Sequence, residues 1–238
     1  MKWNLILKKL AHSLFPPRCA GCGANEESLD GVCVVCRTTI PILNFVYCPT
    51  CKHRLVAPPL HSHSTYVVVA ATRFQNPRVQ NIVHRLKYKR EKCLARFCGT
   101  LLAGSALKYF QSFPIEKDSI IVLPVPLHPK RLRERGFNQS TEIATSFLEY
   151  LPYTFPMDVS ALARTKNTAS QTRQKSRKER MENLRGCFSV TNNEVVRGKT
   201  VFVIDDVSTT GATLQEITTA LRNAGARKVV AFVFAKTD

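Results

Sequence analysis

The run Val201 to Thr213 gathers residue types that suit one kind of chemistry. Four apolar residues, Val201, Phe202, Val203 and Ile204, read as a buried strand of a parallel sheet. Asp205 and Asp206 stand where that strand is expected to end, followed by Val207, Ser208, Thr209, Thr210, Gly211, Ala212 and Thr213. Leu214, Ile217, Leu221 and Ala224 then fall at helical spacing, with Gly225 as the stop. A helix start offers unpaired N–H groups and the positive end of the dipole, which together suit a phosphate. The Ser and Thr hydroxyls add donors, and Gly211 lets backbone approach closely. Carboxylates repel phosphate, so Asp205 and Asp206 must serve otherwise, by accepting from ribose hydroxyls or acting near Mg²⁺. The expected ligand is a phosphorylated sugar.

A second constellation lies near the other end of the chain. Cys19 and Cys22, Cys33 and Cys36, and Cys48 and Cys51 form three C-x2-C pairs. Two such pairs supply the four thiolates of a closed tetrahedral Zn²⁺ site, and the reading assigns it to Cys19, Cys22, Cys33 and Cys36. The third pair either replaces one of these or anchors a second zinc with His61 and His63. His53 follows Cys51 too closely to share the same ion. A redox role for one pair needs a thioredoxin-like strand and helix, and none is visible. Cys93, Cys98 and Cys187 have no ligand spacing and are expected to be buried, inert thiols.

Composition narrows the partners. Thirty-five basic residues against 17 acidic ones give a formal charge of +18, which points to a polyanion. The most basic stretch runs from Arg164 to Arg185 and includes Arg173, Lys175, Arg177 and Lys178 among polar residues. Few aromatics are interleaved, so phosphate contact without base reading is expected there. No apolar run spans a bilayer, and the segment from Met1 to Phe15 is broken by Lys8 and Lys9 without a small-residue cleavage site. Its Trp3, Leu10 and Leu14 share one helical face that suits docking on the protein's own body. A cytoplasmic protein is expected.

These features must be held by alternating strands and helices. Tyr66–Thr72, Ile120–Val125, Val201–Ile204 and Val229–Phe234 read as strands. Pro77–Lys89, Leu94–Phe110 and Thr141–Leu151 read as helices, the first with Val79, Ile82, Val83 and Leu86 inward. The pattern predicts an α/β fold, a parallel or mixed sheet flanked by helices, with ligands beyond the carboxyl ends of the strands. Prolines 124, 126 and 129 lead into a basic loop from Lys130 to Gln139. That loop and the one after Ile204 both follow strands and are expected to meet at one crevice. Lys130 is then placed to serve an anionic part of the ligand.

The acid–hydroxyl run resembles the PRPP-binding motif of type I phosphoribosyltransferases. Taken with Leu14–Cys19, Val122–Leu127, Arg135–Gln139 and Leu162–Thr165 followed by Thr168, Gln171, Arg180, Asn183 and Phe188, it resembles the ComF family over nearly the whole chain. Arg135-Gly136-Phe137-Asn138-Gln139 is the family-specific element. The resemblance implies a zinc-ribbon head over residues 1–62 and a type I phosphoribosyltransferase-like domain over 63–238. It implies a protein that handles incoming single-stranded DNA beside the uptake machinery at the inner membrane, with a pocket for PRPP and Mg²⁺. Catalytic work would fall to Asp205 and Asp206. Family heads often carry a fourth cysteine pair, where this chain has His61 and His63. The competing readings are an active phosphoribosyltransferase of base salvage and a zinc-ribbon adaptor with a vestigial pocket. Charge argues against the adaptor, and the lack of a base-reading hood argues against the salvage enzyme.

Overall fold

The computed structural model describes residues 16–26, 28–43, 46–51, 53–55, 64–166 and 184–237. In chain order the first half holds α1 (Val34–Thr39), β1 (Val46–Tyr47), β2 (Arg54–Leu55), β3 (Val67–Arg73), α2 (Pro77–Tyr88), α3 (Leu94–Ser112) and β4 (Ile120–Pro124). The second half holds α4 (Pro129–Arg135), α5 (Gln139–Glu149), β5 (Leu162–Arg164), β6 (Phe188–Val190), β7 (Thr200–Ser208), α6 (Ala212–Asn223) and β8 (Lys228–Lys236).

The main sheet has the order β2-β1-β3-β8-β7-β4. Its four long strands, β3, β8, β7 and β4, run parallel. They read as continuous apolar runs because both faces are covered. Alternation along β7 sorts the layers. Phe202 and Ile204 join a core with α2, α3 and α5, whereas Val201 and Val203 join a core with α6, β5 and β6. The strand–helix–strand reading therefore holds, with a correction at β7. The strand runs on to Ser208, so the acid pair sits inside it and not after its end.

The basic stretch read as a loop is partly helical. His128 caps α4 with Pro129 in its first turn, and Gly136 closes it in the left-handed region at φ 82°. Proline at the start and glycine just past the end are the ordinary limits of a helix. These caps outweigh the clustered charge that suggested a loop. Cys98 and Cys187 are buried as expected, but Cys93 is exposed at the entry to α3.

The cysteine-rich head is built into the sheet. β1 pairs antiparallel with β3, Val46 opposite Val69, and β2 pairs with β1 beyond it. Val32, Ile40, Val46 and Leu55 share one core with α2 and α3. Asn81 donates to the Gly21 carbonyl at 3.0 Å, and Arg85 to the Arg18 carbonyl at 3.1 Å, so α2 is held by the head.

Helix α3 crosses α5 at Gly99. A Cβ there would stand 2.6 Å from Ser146 Cβ and 2.7 Å from Phe147 N. Gly99→Ala is expected to destabilise the protein by about 1–3 kcal/mol through overpacking. Gly104, on the same helix, has open space around it, and Gly104→Ala is expected to stabilise by about 0.5–1 kcal/mol. Urea melts of the two variants check this, and equal effects would show that the crossing is not limited by Gly99.

Candidate functional site

The crevice opens where neighbouring strands end. Pro124 of β4 lies beside Ile204 of β7, and Val125 N donates to the Ile204 carbonyl at 2.9 Å. Asn138 caps α5 through its Oδ1, 3.1 Å from Ser140 N, while its Nδ2 donates to the Val125 carbonyl at 3.0 Å. One side chain thus ties the start of α5 to the end of β4. It delivers Ser140, fully buried, so that its Oγ donates to Asp205 Oδ1 at 3.0 Å. The backbone N–H of Asp206 donates to the same oxygen at 2.9 Å.

Side-chain alternation separates the two acids. Asp205 lines a cup with Val207, Ser208, Thr209, Thr210, Gly211, Ala212, Thr213 and Leu214. Gly211 heads α6 at φ 78° with no capping side chain, and a Cβ there would stand 3.4 Å from Tyr66 Oη. Asp206 faces the other way, toward α2. Its Oδ1 accepts from Val207 N at 2.7 Å, and its Oδ2 lies 2.7 Å from the Lys87 ammonium.

Burial first, and then the charge of Asp206, push the Asp205 carboxyl up to about 7, with Lys87 pulling it back. A buried carboxyl in that state gains from further hydrogen-bond donors, or can hold a proton near neutral pH. Arg135 and Arg164 are both pulled below the usual guanidinium range, chiefly by burial and then by Arg131, while Asp206 and Asp205 respectively act against this. Asp206 is thus paired with Lys87 and felt by Arg135, and Asp205 is felt by Arg164. The balance favours an anion. Lys130 is exposed on α4, and among the described residues no bond ties its ammonium to the acids.

The second candidate centre is the cysteine cluster. The Sγ atoms of Cys19, Cys22, Cys33 and Cys36 all lie within 4.8 Å of one another. Cys19 to Cys36 and Cys22 to Cys33 are each 3.7 Å apart. A tetrahedron with Zn–S bonds of about 2.3 Å places its sulfurs about 3.8 Å apart, so the cluster fits Zn²⁺. Burial raises the Cys19 thiol, but N–H groups of Cys33, Cys22 and Gly21 outweigh it and bring the group down to about 6. Burial and the neighbouring thiols push Cys36 far up. Four thiolates cannot share this space without a cation, and Zn²⁺ supplies it. Among the described residues this is the only grouping of three or more metal-type ligands. Cys48 is buried and Cys51 half-buried, whereas His61 and His63 lie outside the described residues, as do Arg173, Lys175, Arg177 and Lys178.

Two domain models match this chain. The model of the phosphoribosyl transferase domain matches residues 134–237, and that of the double zinc ribbon domain matches residues 10–64. The DNA utilization protein YhgH of Escherichia coli K12 is 27% identical over 233 residues, covering 88% of this chain and 99% of its own. Competence protein F of Haemophilus influenzae is 28% identical over 227 residues, covering 91% and 96%. Competence protein ComFC of Streptococcus pneumoniae is 26% identical over 215 residues, covering 87% and 88%. The chain is a homologue of these competence and DNA utilization proteins, with a phosphoribosyl transferase domain and a double zinc ribbon domain.

Sequence reasoning on this chain misses Lys87, Ser140 and the placement of Arg135. Lys87 reads as one more charge on a solvated helix face, and only its place beside inward Leu86 hints otherwise. Ser140 directly follows the family-specific Arg135–Gln139 element, which is the signal that points to it. Among the described residues no helix is long and apolar enough to cross a membrane.

Gly21 is the close approach in the zinc centre, because a Cβ there would lie 2.8 Å from Cys36 Sγ. Elemental analysis of protein purified without chelator is expected to give at least about one zinc per chain, and clearly less for Gly21→Ala. Metal-free wild-type protein would remove the assignment, while about two per chain would bring Cys48 and Cys51 into play.

Proposed function

We propose that this protein handles incoming single-stranded DNA in natural transformation and that its crevice binds a phosphoribosyl ligand, PRPP with Mg²⁺. The observation that carries the reading is the cup. Hydroxyls, an uncapped helix start and the buried Asp205 converge at the end of β7, and Arg164 is near enough to feel the charge of Asp205. The cup suits the 5-phosphate, Asp205 suits ribose hydroxyls, and the Arg164 guanidinium suits a diphosphate. Asp205 offers Mg²⁺ a hard oxygen of the right kind, and the rest of the ion's shell would come from the ligand and water. Lys87 already neutralises Asp206.

The DNA part rests on the charge of +18 and on relatives whose names refer to competence and DNA utilization. Those names fit DNA handling better than base salvage. Cytoplasmic location, with peripheral contact at the inner membrane, belongs to the same reading. The strand's phosphates are assigned to Arg173, Lys175, Arg177 and Lys178.

PRPP with Mg²⁺ is expected to raise the melting temperature, because a ligand that binds only the folded state stabilises it. Asp205→Asn should abolish that shift while the circular dichroism spectrum stays folded. An unchanged shift would remove the pocket assignment.

Affinity for single-stranded oligonucleotides of unrelated sequence is expected to be similar and to fall steeply with salt. The logarithmic slope should be roughly −0.7 per phosphate neutralised. Replacing Arg173, Lys175, Arg177 and Lys178 by Ala should flatten the slope without loss of zinc. No binding at low salt, together with pyrophosphate release from PRPP and a free base, would turn the assignment to a salvage enzyme.

A further inference from the structure

The C-terminal turn of α2 carries an aromatic surface that the crevice does not use. Tyr88, at the end of a well-packed helix, is 62% exposed. His84, one turn earlier and also exposed, lies against it with ring centroids 5.0 Å apart at an angle of 44°. The Arg135 guanidinium of α4 stands 5.9 Å from the Tyr88 ring centre. Arg90, at φ 57°, donates to the Glu134 carbonyl at 2.7 Å and fixes the loop after α2 against α4. The ring therefore sits on two braced helices.

Its surroundings are those of a polyanion track. Lys89, Arg90 and Lys92 continue from Tyr88 on the surface, and Lys130 and Arg133 are exposed on α4. Its position relative to the crevice is fixed by the residue before it, since the Lys87 ammonium lies 2.7 Å from Asp206 Oδ2. An aromatic face among solvent-exposed cations is complementary to a base attached to a phosphate chain. Neither an apolar peptide nor a bare phosphate accounts for both parts.

We propose that His84 and Tyr88 form a stacking platform for a nucleobase of single-stranded DNA, with Arg135 behind the ring and the basic residues of α2 and α4 taking the flanking phosphates. This rests on the DNA-handling reading above and adds base contact to it. Residue order alone carries no such expectation, because the ring is not interleaved with the most basic stretch. Stacking is tolerant of base identity, so the platform leaves the chain without sequence preference.

The test compares a natural oligonucleotide with an abasic one of equal length, using the full zinc-loaded chain. Wild type should bind the natural strand more tightly than the abasic strand. Tyr88→Ala should weaken binding of the natural strand about fivefold or more, the effect of losing one stacked base. It should leave the salt slope unchanged and erase the preference for the natural strand. Tyr88→Phe, which keeps the ring, should behave as wild type. The variant lacking Arg173, Lys175, Arg177 and Lys178 should show the opposite pattern, a flatter slope with the base preference retained. Equal wild-type affinity for both strands, or a Tyr88→Ala variant that still prefers the natural strand, overturns the platform while DNA binding stands. Wild type that binds neither strand at low salt overturns the DNA reading and the platform with it.

Discussion

The ion pair between Lys87 and Asp206, 2.7 Å long with the carboxylate almost closed to water, joins parts of the chain that are far apart in sequence. A lone carboxylate in that position is costly, because burial penalises charge and Asp205 is its immediate neighbour. A cation held beside Asp206 offsets that cost, and Lys87 is that cation. That pairing fixes where α2 must lie. Its Val79, Ile82, Val83 and Leu86 are buried, its last turn reaches the carboxyl ends of the strands, and Lys87 meets the acid. Asp205 makes a parallel demand on α5, met by Ser140, and the Asn138 cap places that serine.

The head enters the same chain of dependence. Asn81, Arg85 and Arg78 of α2 donate to Gly21, Arg18 and Thr39, residues in and around the cysteine cluster. The metal centre therefore supports the helix that neutralises Asp206. What looks like a small appendage is a brace for the site, acting through a packed helix and not through direct contact with a ligand. Such coupling is local and mechanical, with each link a named hydrogen bond.

Much of this is legible in the residues, and the parts that are not share a cause. Long apolar runs mark β3, β4, β7 and β8, and helical periodicity marks α2, α3, α5 and α6, because those signals are local. Spacing alone picks out the four clustered cysteines and the cup. The β1–β2 hairpin escapes notice because two-residue strands carry no period of their own. They exist by pairing with β3, and pairing depends on the whole fold. Lys87 and Tyr88 escape for a related reason. A lysine and a tyrosine at the end of an amphipathic helix look like solvated surface until β7 is seen to end beneath them. The local signals for α4 are present in Pro129 and Gly136, and the density of charge between them hides it.

The hairpin has one more effect. A parallel sheet has two borders whose unpaired backbone groups invite other strands. At one border the Pro156 carbonyl accepts from Val122 N at 2.9 Å, and Asp158 N donates to the Val122 carbonyl at 3.1 Å, which closes β4. At the other, β1 and β2 seal β3 and leave a rim of two residues ending in the exposed Arg54. The seal shares a core with the four clustered cysteines, so stripping zinc from them would loosen the cover over β3. A cell short of zinc would feel the effect first. It would hold chains whose bare sheet borders can pair with one another, and aggregation would follow from metal starvation.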